Sequence, residues 1–248
     1  MAETIVIKVS GHEIDDPAFL TGFASVIRDL AQPIIVVHGG GREITEMQQK
    51  MGIEARYVDG LRITDAASLA LVEMVLCGAV NTRLVRMLVN AGVDALGMSG
   101  VDRGLVRAHK MPHPAQDMGY TGEIVSVRAN VLSDLLAEGI TLVVAPICLG
   151  VDSSYNVNAD HVAGAVAAVV AAGRVVFLTN VPGVLVDGVV VETLSPEAAE
   201  KLINDGIIFG GMIPKVRTAL AALTGGAASA VITNLDGLRM GGGTTFKR

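Results

Sequence analysis

The chain has 248 residues, of which 51% are hydrophobic and 18% are charged, and its formal net charge is −6 at pH 7. This composition excludes a disordered chain, which would combine low hydrophobicity with high net charge. The acidic balance argues against a protein built mainly to bind nucleic acid, which would carry a basic face.

Five runs of apolar, largely β-branched residues predict buried strands, because runs that do not alternate with polar residues have both faces covered. In chain order they are 5–9, 34–37, 142–145, 175–178 and 230–233. Segments with a helical period lie between them, at 16–30, 42–51, 65–90, 128–138, 159–172, 195–204 and 212–224. Two further stretches have the pattern of β-hairpins, 105–125 and 183–191. This alternation predicts an α/β fold, a three-layer αβα sandwich with a mainly parallel central sheet.

The whole chain, 1–248, is expected to form a single domain, because no Pro/Ser-rich linker divides it. Two lobes, about 1–150 and about 151–248, would share the sheet. The longest apolar stretch, 162–173, is shorter than the roughly 20 residues of a membrane span. The first residues lack the layout of a signal peptide. We therefore expect a cytoplasmic protein that does not cross a membrane.

The two cysteines and three of the glycines carry structural expectations. Cys77 and Cys148 lie in apolar runs and match no zinc motif, so we expect buried, reduced thiols. Gly92, Gly139 and Gly173 precede predicted strands and are expected to end the helices before them.

Two glycine-containing turns follow predicted strands. The first, Lys-Val-Ser-Gly at 8–11, lies where open α/β sheets bind ligands; the alternative is a lysine that only extends into solvent. The second, His-Gly-Gly-Gly at 38–41, precedes a helix and leaves N–H groups at its positive end, which favours an anion. It is not a P-loop, because Arg-Glu follows in place of Lys-Ser/Thr. A purely structural glycine turn remains the alternative.

Three further signals are polar. Arg62 lies in a short extended piece and could hold a carboxylate with two hydrogen bonds, although a surface arginine is the alternative. Asn156, Asn158 and Asp160 alternate before an apolar helix, so an extended segment would aim all three to one side. That grouping is costly unless it binds something, and capping of the helix by Asn158 or Asp160 is a compatible alternative. Lys215 follows two glycines and could neutralise phosphate charge, although alone it is more typical of a solvated lysine.

Together these residues suit phosphoryl transfer, which needs positioning and positive charge but little covalent chemistry from the protein. The sequence shows no serine-hydrolase elbow and no cluster with metal-ligand spacing.

Six motifs, in order along the chain, resemble those of the amino acid kinase family, most closely its N-acetylglutamate kinases. They are Lys-Val-Ser-Gly at 8–11, His-Gly-Gly-Gly at 38–41, Gly-Leu-Arg-Ile-Thr at 60–64, Asn-Val-Asn-Ala-Asp at 156–160, Leu-Thr-Asn-Val-Pro-Gly at 178–183 and Gly-Met-Ile-Pro-Lys at 211–215. The resemblance covers nearly the whole chain and implies the carbamate kinase-like fold of this family.

The resemblance implies ATP-dependent phosphorylation of the side-chain carboxylate of N-acetyl-L-glutamate, the second step of arginine biosynthesis by the acetylated route. It implies that Lys8 and Lys215 stabilise the phosphoryl group during transfer and that Asp160 holds both lysines in place. The acceptor carboxylate is already ionised at pH 7, so no general base is needed. Mg²⁺ would be carried by the nucleotide, bridging its β- and γ-phosphates, and no metal site on the protein is expected.

By the same resemblance, the other contacts divide between two ligands. N-acetyl-L-glutamate would contact Gly40, Gly41, Arg62 and Asn156, with Arg62 on its α-carboxylate. ATP would be bound by Lys8, Ser10, Gly11, Asn180, Val181, Pro182, Gly183, Val184, Leu185, Ile207, Ile208, Phe209 and Lys215. The first lobe would bind the acetylated amino acid and form the dimer, and the second would bind ATP.

Two departures from the family pattern leave alternatives open. Ser10 stands where glycine is usual, and Asn180 stands where aspartate is usual. Asn180 and the stretch 77–81 are also similar to kinases that act on carrier-protein-bound aminoadipate or glutamate, whereas Gly41 and the residues before Arg62 favour the free acetylated substrate. A non-catalytic amino-acid sensor is a third alternative, against which the two intact lysines and the aspartate argue.

The family resemblance also leads to an expectation about the oligomeric state. Arginine-inhibited relatives carry an extra N-terminal helix, whereas the first predicted strand here begins by about residue 4, so we expect an arginine-insensitive homodimer. Binding of a nitrogen-signalling regulator to that dimer stays open.

Overall fold

The computed structural model describes residues 3–248, apart from the side chain of His12. The strands of this part of the chain are β1 Ile5–Val9, β2 Ile34–His38, β3 Arg56–Val58, β4 Leu61–Ile63, β5 Ala95–Gly100, β6 Val106–Lys110, β7 Thr121–Val127, β8 Thr141–Leu149, β9 Ser154–Val157, β10 Arg174–Leu178, β11 Leu185–Val186, β12 Val189–Val190, β13 Thr193–Leu194, β14 Ala230–Thr233 and β15 Thr244–Phe246. The five predicted strands are all present.

The α-helices are α1 Gly11–Ile14, α2 Pro17–Asp29, α3 Gly41–Lys50, α4 Ala66–Glu73, α5 Asn81–Asn90, α6 Ala129–Ala137, α7 Ala159–Val169, α8 Pro196–Asn204, α9 Met212–Thr224 and α10 Leu235–Met240. A π-helix, Met74–Val80, joins α4 to α5, and a short 3₁₀-helix spans Asp102–Gly104. Each of the seven predicted helical segments overlaps one or more of these helices. Both predicted hairpins also form, β6 with β7 and β11 with β12.

The central sheet has the strand order β13-β15-β14-β10-β1-β2-β8-β6-β7-β9, and β5 pairs with β8 beside this path. β1 lies between β2 and β10 in parallel register, with Lys8 opposite Val37 and Phe177. The pairs β6–β7, β8–β9 and β14–β15 are antiparallel. The sheet is therefore mainly parallel, as predicted, and the carboxyl ends of β1, β2 and β10 meet at one edge.

The two faces of the sheet belong to two hydrophobic cores. Along β1, Val6 packs into the core that includes α6, α7, α8 and α9, whereas Ile5 and Ile7 pack into the core that includes α2, α4, α5 and α10. Helices thus cover both faces, because the side chains of a strand alternate between them. This confirms the predicted three-layer αβα sandwich.

One continuous helical run, Ala66–Asn90, is long and apolar enough by length and composition to cross a membrane. Half of its most apolar stretch is buried within the protein, where Leu71, Val72 and Leu76 pack on the sheet. We therefore assign it to the core of the fold, since a core helix meets the same criterion. The apolar stretch singled out from the sequence, 162–173, forms most of α7 and the turn after it.

The cysteines differ in their environments. Cys148 is buried in β8, as expected, but Cys77 is exposed on the π-helix, so its expected burial is wrong. Desolvation raises the pKa of the Cys77 thiol to about 11 and raises the pKa of Cys148 as well. Both side chains are therefore thiols at neutral pH.

Candidate functional site

The carboxyl end of β1 and the first turn of α7 meet through an ion pair. The Nζ atom of Lys8 lies 2.9 Å from Oδ1 of Asp160, and the two side chains are 15% and 23% exposed. The contact is not aligned as a hydrogen bond, and Oδ1 is buried with no hydrogen-bond partner among the described residues. Asp160 can therefore accept a hydrogen bond from a further donor. Asn158 caps α7 by accepting a hydrogen bond from the Asp160 backbone N–H.

The two glycine-containing turns lie against each other at this edge. The Gly39 N–H donates to the carbonyl oxygen of Val9, and a Cβ on Gly11 would lie 2.9 Å from the Cα and N atoms of Gly40. Gly40 is the N-cap of α3 and has no side chain to cap it. The first N–H groups of α3 therefore have no side-chain cap among the described residues, which leaves the predicted anion site a prediction.

His38 anchors the second glycine-containing turn, 38–41, to the interior of the protein. It is fully buried, and burial lowers its pKa to about 4, so the imidazole is neutral at pH 7. Its Nδ1 atom lies 3.0 Å from the carbonyl oxygen of Gly39. A carbonyl oxygen only accepts, so Nδ1 carries the proton and donates.

Arg62 projects from the β3–β4 hairpin and is 8% exposed. Its guanidinium donates to the Gly41 carbonyl oxygen at 3.0 Å, to the Thr45 hydroxyl at 2.8 Å and to the side-chain oxygen of Gln48. It also lies 4.8 Å from the ring centroid of Tyr57, a cation–π contact. Arg62 forms no ion pair with a carboxylate of the described residues, and desolvation lowers its pKa. A buried charge without a counter-ion favours an anionic ligand.

Asn156, in β9, belongs to a hydroxyl network beside Arg62. Its Nδ2 donates to the Thr64 hydroxyl at 3.1 Å. The Thr121 hydroxyl lies 3.1 Å from the same oxygen and donates to the backbone carbonyl oxygen of Arg62. The side-chain oxygen of Asn156 has no hydrogen-bond partner among the described residues and is left for another group.

A cavity of about 270 Å³, here called the glycine-loop cavity, is lined by Gly11, Gly39, Tyr57 and Thr121, among others. Every residue predicted to bind the acetylated substrate contributes to it, together with Lys8 and Asp160. The residues predicted for this role are Gly40, Gly41, Arg62 and Asn156. A Cβ on Gly41 would have no described atom within 4 Å, so this glycine borders open space.

A second cavity of about 170 Å³, here called the lysine cavity, lies across the ion pair. It is lined by both lysines, Ser10, Asp160 and Thr218, among others. Lys215 follows Pro214 in the first turn of α9. It forms no ion pair with Asp160 in the described part of the chain, so the predicted bridge from Asp160 to both lysines is seen only for Lys8.

Ser10 lines the lysine cavity, but its hydroxyl donates to the carboxylate of Glu13. A phosphate at this turn would therefore meet backbone N–H groups, which suits the substitution of serine for glycine. Gly11 opens instead onto the glycine-loop cavity.

The remaining residues predicted to bind ATP do not line the lysine cavity over the described residues. Val184 and Ile208 are core side chains, and Gly183 is also buried. Asn180, Pro182, Leu185, Ile207 and Phe209 are exposed, and Val181 is half-buried. Asn180 borders a third cavity that also includes Asp15, Asp16 and Arg42.

Several contributors were not singled out from the sequence. Gln48 and Tyr57 hold Arg62, and Thr121 holds the hydroxyl network. Gln48 had a detectable signal, because it lies one turn from Ile44 on the buried face of α3. Tyr57 lies in a three-residue strand and Thr121 is the first residue of β7, and at neither position does a polar side chain have a diagnostic spacing.

Over residues 3–248, apart from the side chain of His12, no group of three His, Cys, Asp or Glu side chains is placed to hold a metal ion. A divalent cation at this site would therefore have to bring most of its oxygen ligands with it.

Comparison with known proteins gives a consistent result. A sequence model of the Amino acid kinase family matches residues 3–234. An acetylglutamate kinase of Roseiflexus sp. (strain RS-1) is 54% identical over 243 residues, which cover 98% of this chain and 93% of that protein.

Among solved structures, a protein of Streptococcus mutans UA159 is similar with a TM-score of 0.84 and 28% identity, over 100% of this chain and 99% of that one. Carbamate kinase from Giardia lamblia bound to AMP-PNP has a TM-score of 0.72 at 15% identity, over 100% of this chain and 99% of its own. The latter likeness concerns the fold alone and confirms the expected carbamate kinase-like architecture. With a family match over most of its length and a relative more than half identical, the chain belongs to the amino acid kinase family.

Proposed function

We propose that this protein transfers the γ-phosphoryl group of ATP to the side-chain carboxylate of N-acetyl-L-glutamate, the second step of arginine biosynthesis by the acetylated route. The observation that carries the proposal is that Lys8 and Asp160 line both the glycine-loop cavity and the lysine cavity. The ion pair therefore borders both cavities, where a group could pass from one to the other. The kinase family and the acetylglutamate kinase relative support the choice of reaction.

The acceptor fits the glycine-loop cavity by charge. Arg62 lacks a carboxylate partner among the described residues and would pair with the α-carboxylate. The N–H groups at Gly40 and Gly41 would receive the side-chain carboxylate at the positive end of α3. Asn156, whose side-chain oxygen is free, would accept from the amide N–H of the acetylated nitrogen.

In the transfer step, a carboxylate oxygen of the acceptor forms a bond to the γ-phosphorus while the bond from that phosphorus to the β–γ bridging oxygen breaks. ADP leaves with the electron pair, and the product is the acyl phosphate N-acetyl-L-glutamyl 5-phosphate. No proton has to be removed, because the carboxylate is ionised at pH 7. Lys8 and Lys215 would stabilise the charge on the transferring group, and Asp160 would fix the position of Lys8 and accept a hydrogen bond from Lys215.

ATP would extend from the lysine cavity across the carboxyl ends of β10 and β14. The turn at Ser10 and Gly11 would contact its phosphates through backbone N–H groups. The segments 180–185 and 207–209 would lie beside the nucleoside, with the buried Val184 and Ile208 taking part only through their backbone. Mg²⁺ would bind the β- and γ-phosphates and supply charge neutralisation there, which fits a site without a protein metal cluster among the described residues.

In this proposal residues 1–150 form the lobe for the acetylated amino acid and for dimerisation, and residues 151–248 form the lobe for ATP. β9 follows residue 150 in the chain but pairs with β7 and β8. Asn156 thereby reaches the cavity of the first lobe. A biosynthetic kinase that consumes ATP is expected to work in the cytoplasm.

We also propose a homodimer through the helical run Ala66–Asn90. Its solvent side is a stripe of small and apolar residues at helical spacing, namely Ala67, Ala70, Met74, Cys77 and Gly78. Such a stripe is suited to close packing against its own copy. Light scattering should give the mass of a dimer with or without arginine, and Met74→Glu should give a monomer. Met240→Glu, at an exposed methionine elsewhere, is the control. A hexamer, or a monomeric wild type, would contradict the proposal.

The activity is tested by trapping the acyl phosphate with hydroxylamine, in the presence of ATP and each acceptor. We expect hydroxamate with N-acetylglutamate and little with glutamate, aspartate or carrier-linked aminoadipate. Lys8→Met should abolish the signal, and Lys201→Met, at an exposed lysine outside the site, should not. A higher rate with the carrier-linked substrate would replace this proposal by the carrier-bound alternative, and no hydroxamate with any acceptor would refute it.

A further inference from the structure

Asn81 is a buried polar residue at the point where the π-helix Met74–Val80 passes into α5. It is 6% exposed, and its Nδ2 atom lies 2.9 Å from the carbonyl oxygen of Val143 and 3.1 Å from Nε2 of His38. A Cβ on Gly97 would overlap the side-chain oxygen of Asn81, so β5 has a glycine where this carboxamide lies. The strands β2, β5 and β8 therefore all contact the side chain of Asn81.

The direction of these hydrogen bonds is fixed by their acceptors. The Val143 carbonyl only accepts, so the amide group of Asn81 must present its nitrogen on this side. The same nitrogen has a second hydrogen, for which Nε2 of His38 at 3.1 Å is a nearer acceptor than the Met98 carbonyl oxygen at 3.5 Å. Nδ1 of His38 already donates to the Gly39 carbonyl, so the neutral ring has an unprotonated Nε2 that can accept from Asn81. A single chain of hydrogen bonds runs from Val143 through Asn81 and His38 to Gly39.

The π-helix also contacts the next glycine. A Cβ on Gly40 would lie 2.6 Å from Leu76 Cδ2 and 3.4 Å from Val80 Cγ2. The loop 38–41 is thus supported by apolar contacts from the π-helix and by the polar chain from the residue that follows it. π-helical turns are uncommon and often lie at functional sites.

We infer that Asn81 is a positioning residue, which acts through His38 to hold the loop 38–41 in the shape that receives the acceptor carboxylate. The inference rests on the proposed function, because binding of the acceptor at this loop is part of it. Asn81 does not line the glycine-loop cavity and contacts no reacting atom. Its role is to select the tautomer in which His38 donates to Gly39.

Replacement of Asn81 by Leu removes the donor and leaves Nε2 unpaired. The expected result is a rise of about tenfold in KM for N-acetylglutamate, the scale of one lost buried hydrogen bond. KM for ATP should change less than twofold. Asn90→Leu, the same change at the exposed end of α5, is the matched control and should alter neither constant. Equal changes in both KM values would indicate a general loss of structure and would overturn the inference.

Asn81→Asp gives a readout that a purely structural residue would not produce. An ionised carboxylate has no hydrogen for the Val143 carbonyl oxygen or for Nε2 of His38, so its one available donor here is a protonated Nε2. The neutral ring would therefore switch its proton to Nε2 and release Gly39. Only a His38 ring protonated on both nitrogens could donate to the new carboxylate and to the Gly39 carbonyl oxygen at the same time. The other charged groups near His38 are Glu43 of α3 and Arg83 of α5, which pair with each other. We therefore expect KM for N-acetylglutamate to increase with pH between 6 and 9 in Asn81→Asp but to stay level in the wild type.

Histidine ¹⁵N spectra of the full-length protein separate this inference from the proposed function. His38 should be the Nδ1–H tautomer in the wild type and should change tautomer or charge in Asn81→Asp. If the wild type makes no acyl phosphate, the proposed function fails, whatever the spectra show. If it is active and Asn81→Asp has a KM independent of pH, the positioning role is refuted. Should Asn81→Leu not fold, Gly97→Ala, which displaces the carboxamide, is expected to raise the same KM, and an unchanged KM would count against the inference.

Discussion

The ammonium group of Lys8 lies 2.9 Å from a carboxylate oxygen of Asp160 that has no aligned hydrogen bond among the described residues. The pair joins the central strand of the sheet to the helix that packs on it, at the boundary between two cavities. The ion pair is partly solvated, so its contribution to stability is expected to be small, about 1 kcal/mol or less. Its importance lies in where it holds the positive charge.

Lys8→Arg should therefore lower kcat by about 100-fold or more with little change in Tm. The guanidinium keeps the charge but is larger and directs its hydrogens differently, and the interaction is made mainly in the transition state. Steady-state kinetics and thermal melting measure the two effects. Lys201→Arg is the control at an exposed lysine, and near-normal turnover in Lys8→Arg would remove Lys8 from the mechanism.

Arg62→Lys should raise KM for N-acetylglutamate about tenfold or more and leave KM for ATP unchanged. Lysine has only three hydrogens, on a single nitrogen, so it cannot reproduce the guanidinium contacts with Gly41, Thr45 and Gln48 and also donate to a carboxylate. Titration calorimetry with N-acetylglutamate measures the loss directly. An unchanged affinity would mean that the acceptor's α-carboxylate lies elsewhere.

Gly40→Ala should mainly lower stability, whereas Gly41→Ala should mainly weaken binding of N-acetylglutamate. The first places a methyl group 2.6 Å from Leu76 Cδ2, so it should destabilise the fold by about 1–3 kcal/mol. The second meets no described atom within 4 Å and should leave stability within about 0.5 kcal/mol of wild type while raising KM for N-acetylglutamate. Urea unfolding and kinetics on both variants check this; a loss of stability without a kinetic effect in Gly41→Ala would contradict it.

Stability should fall as the pH is lowered from about 6.5 to 4. Burial lowers the pKa of His38 to about 4, below the ordinary 6.5 of an unfolded chain, so over this window the unfolded state binds a proton that the folded state does not. By linkage, this contribution is complete above about pH 6.5 and amounts to about 3 kcal/mol when lost. Urea unfolding from pH 7.5 to 4.5 should show a weaker pH dependence in His38→Gln than in the wild type. Identical slopes would show that His38 is protonated in the folded state.

Much of the fold could be predicted because its strands are strong signals. The run at 5–9 forms β1 over the same residues, since an uninterrupted β-branched segment leaves no competing period. β5, Ala95–Gly100, was not predicted because two glycines and a serine hide its period. β13 has only two residues and forms by pairing with β15, which no local pattern encodes.

One glycine expectation was wrong in an instructive way. Gly92 and Gly139 have positive φ after helices, as expected. After α7 the left-handed residue is Ala171, with φ 47°, and Gly173 is not left-handed. A Cβ on Gly173 would instead overlap the side chain of Glu3. The sequence shows that a small residue is needed there, but only the packing shows why.

In the candidate site, residues that belong to a local motif could be predicted, whereas their packing partners could not. Residues with a motif of their own, such as Arg62 and Asn156, come together in one cavity. The spacing of α3 indicates that Gln48 is buried, but it does not indicate that its partner is Arg62. Tyr57 contacts Arg62 from the neighbouring strand, and no local pattern predicts that contact. The environment of Asn180, which borders acidic side chains outside the lysine cavity, depends on long-range packing that a local motif does not contain.

The close approach of Gly11 to the backbone of Gly40 has an evolutionary consequence. One glycine belongs to the turn assigned to the nucleotide and the other to the turn assigned to the acceptor, yet a side chain on the first would displace the second. The two turns cannot drift independently: a change tolerated in one requires a compensating change in the other. A bulkier residue at position 11 would therefore have to be matched by a shift of the backbone at position 40.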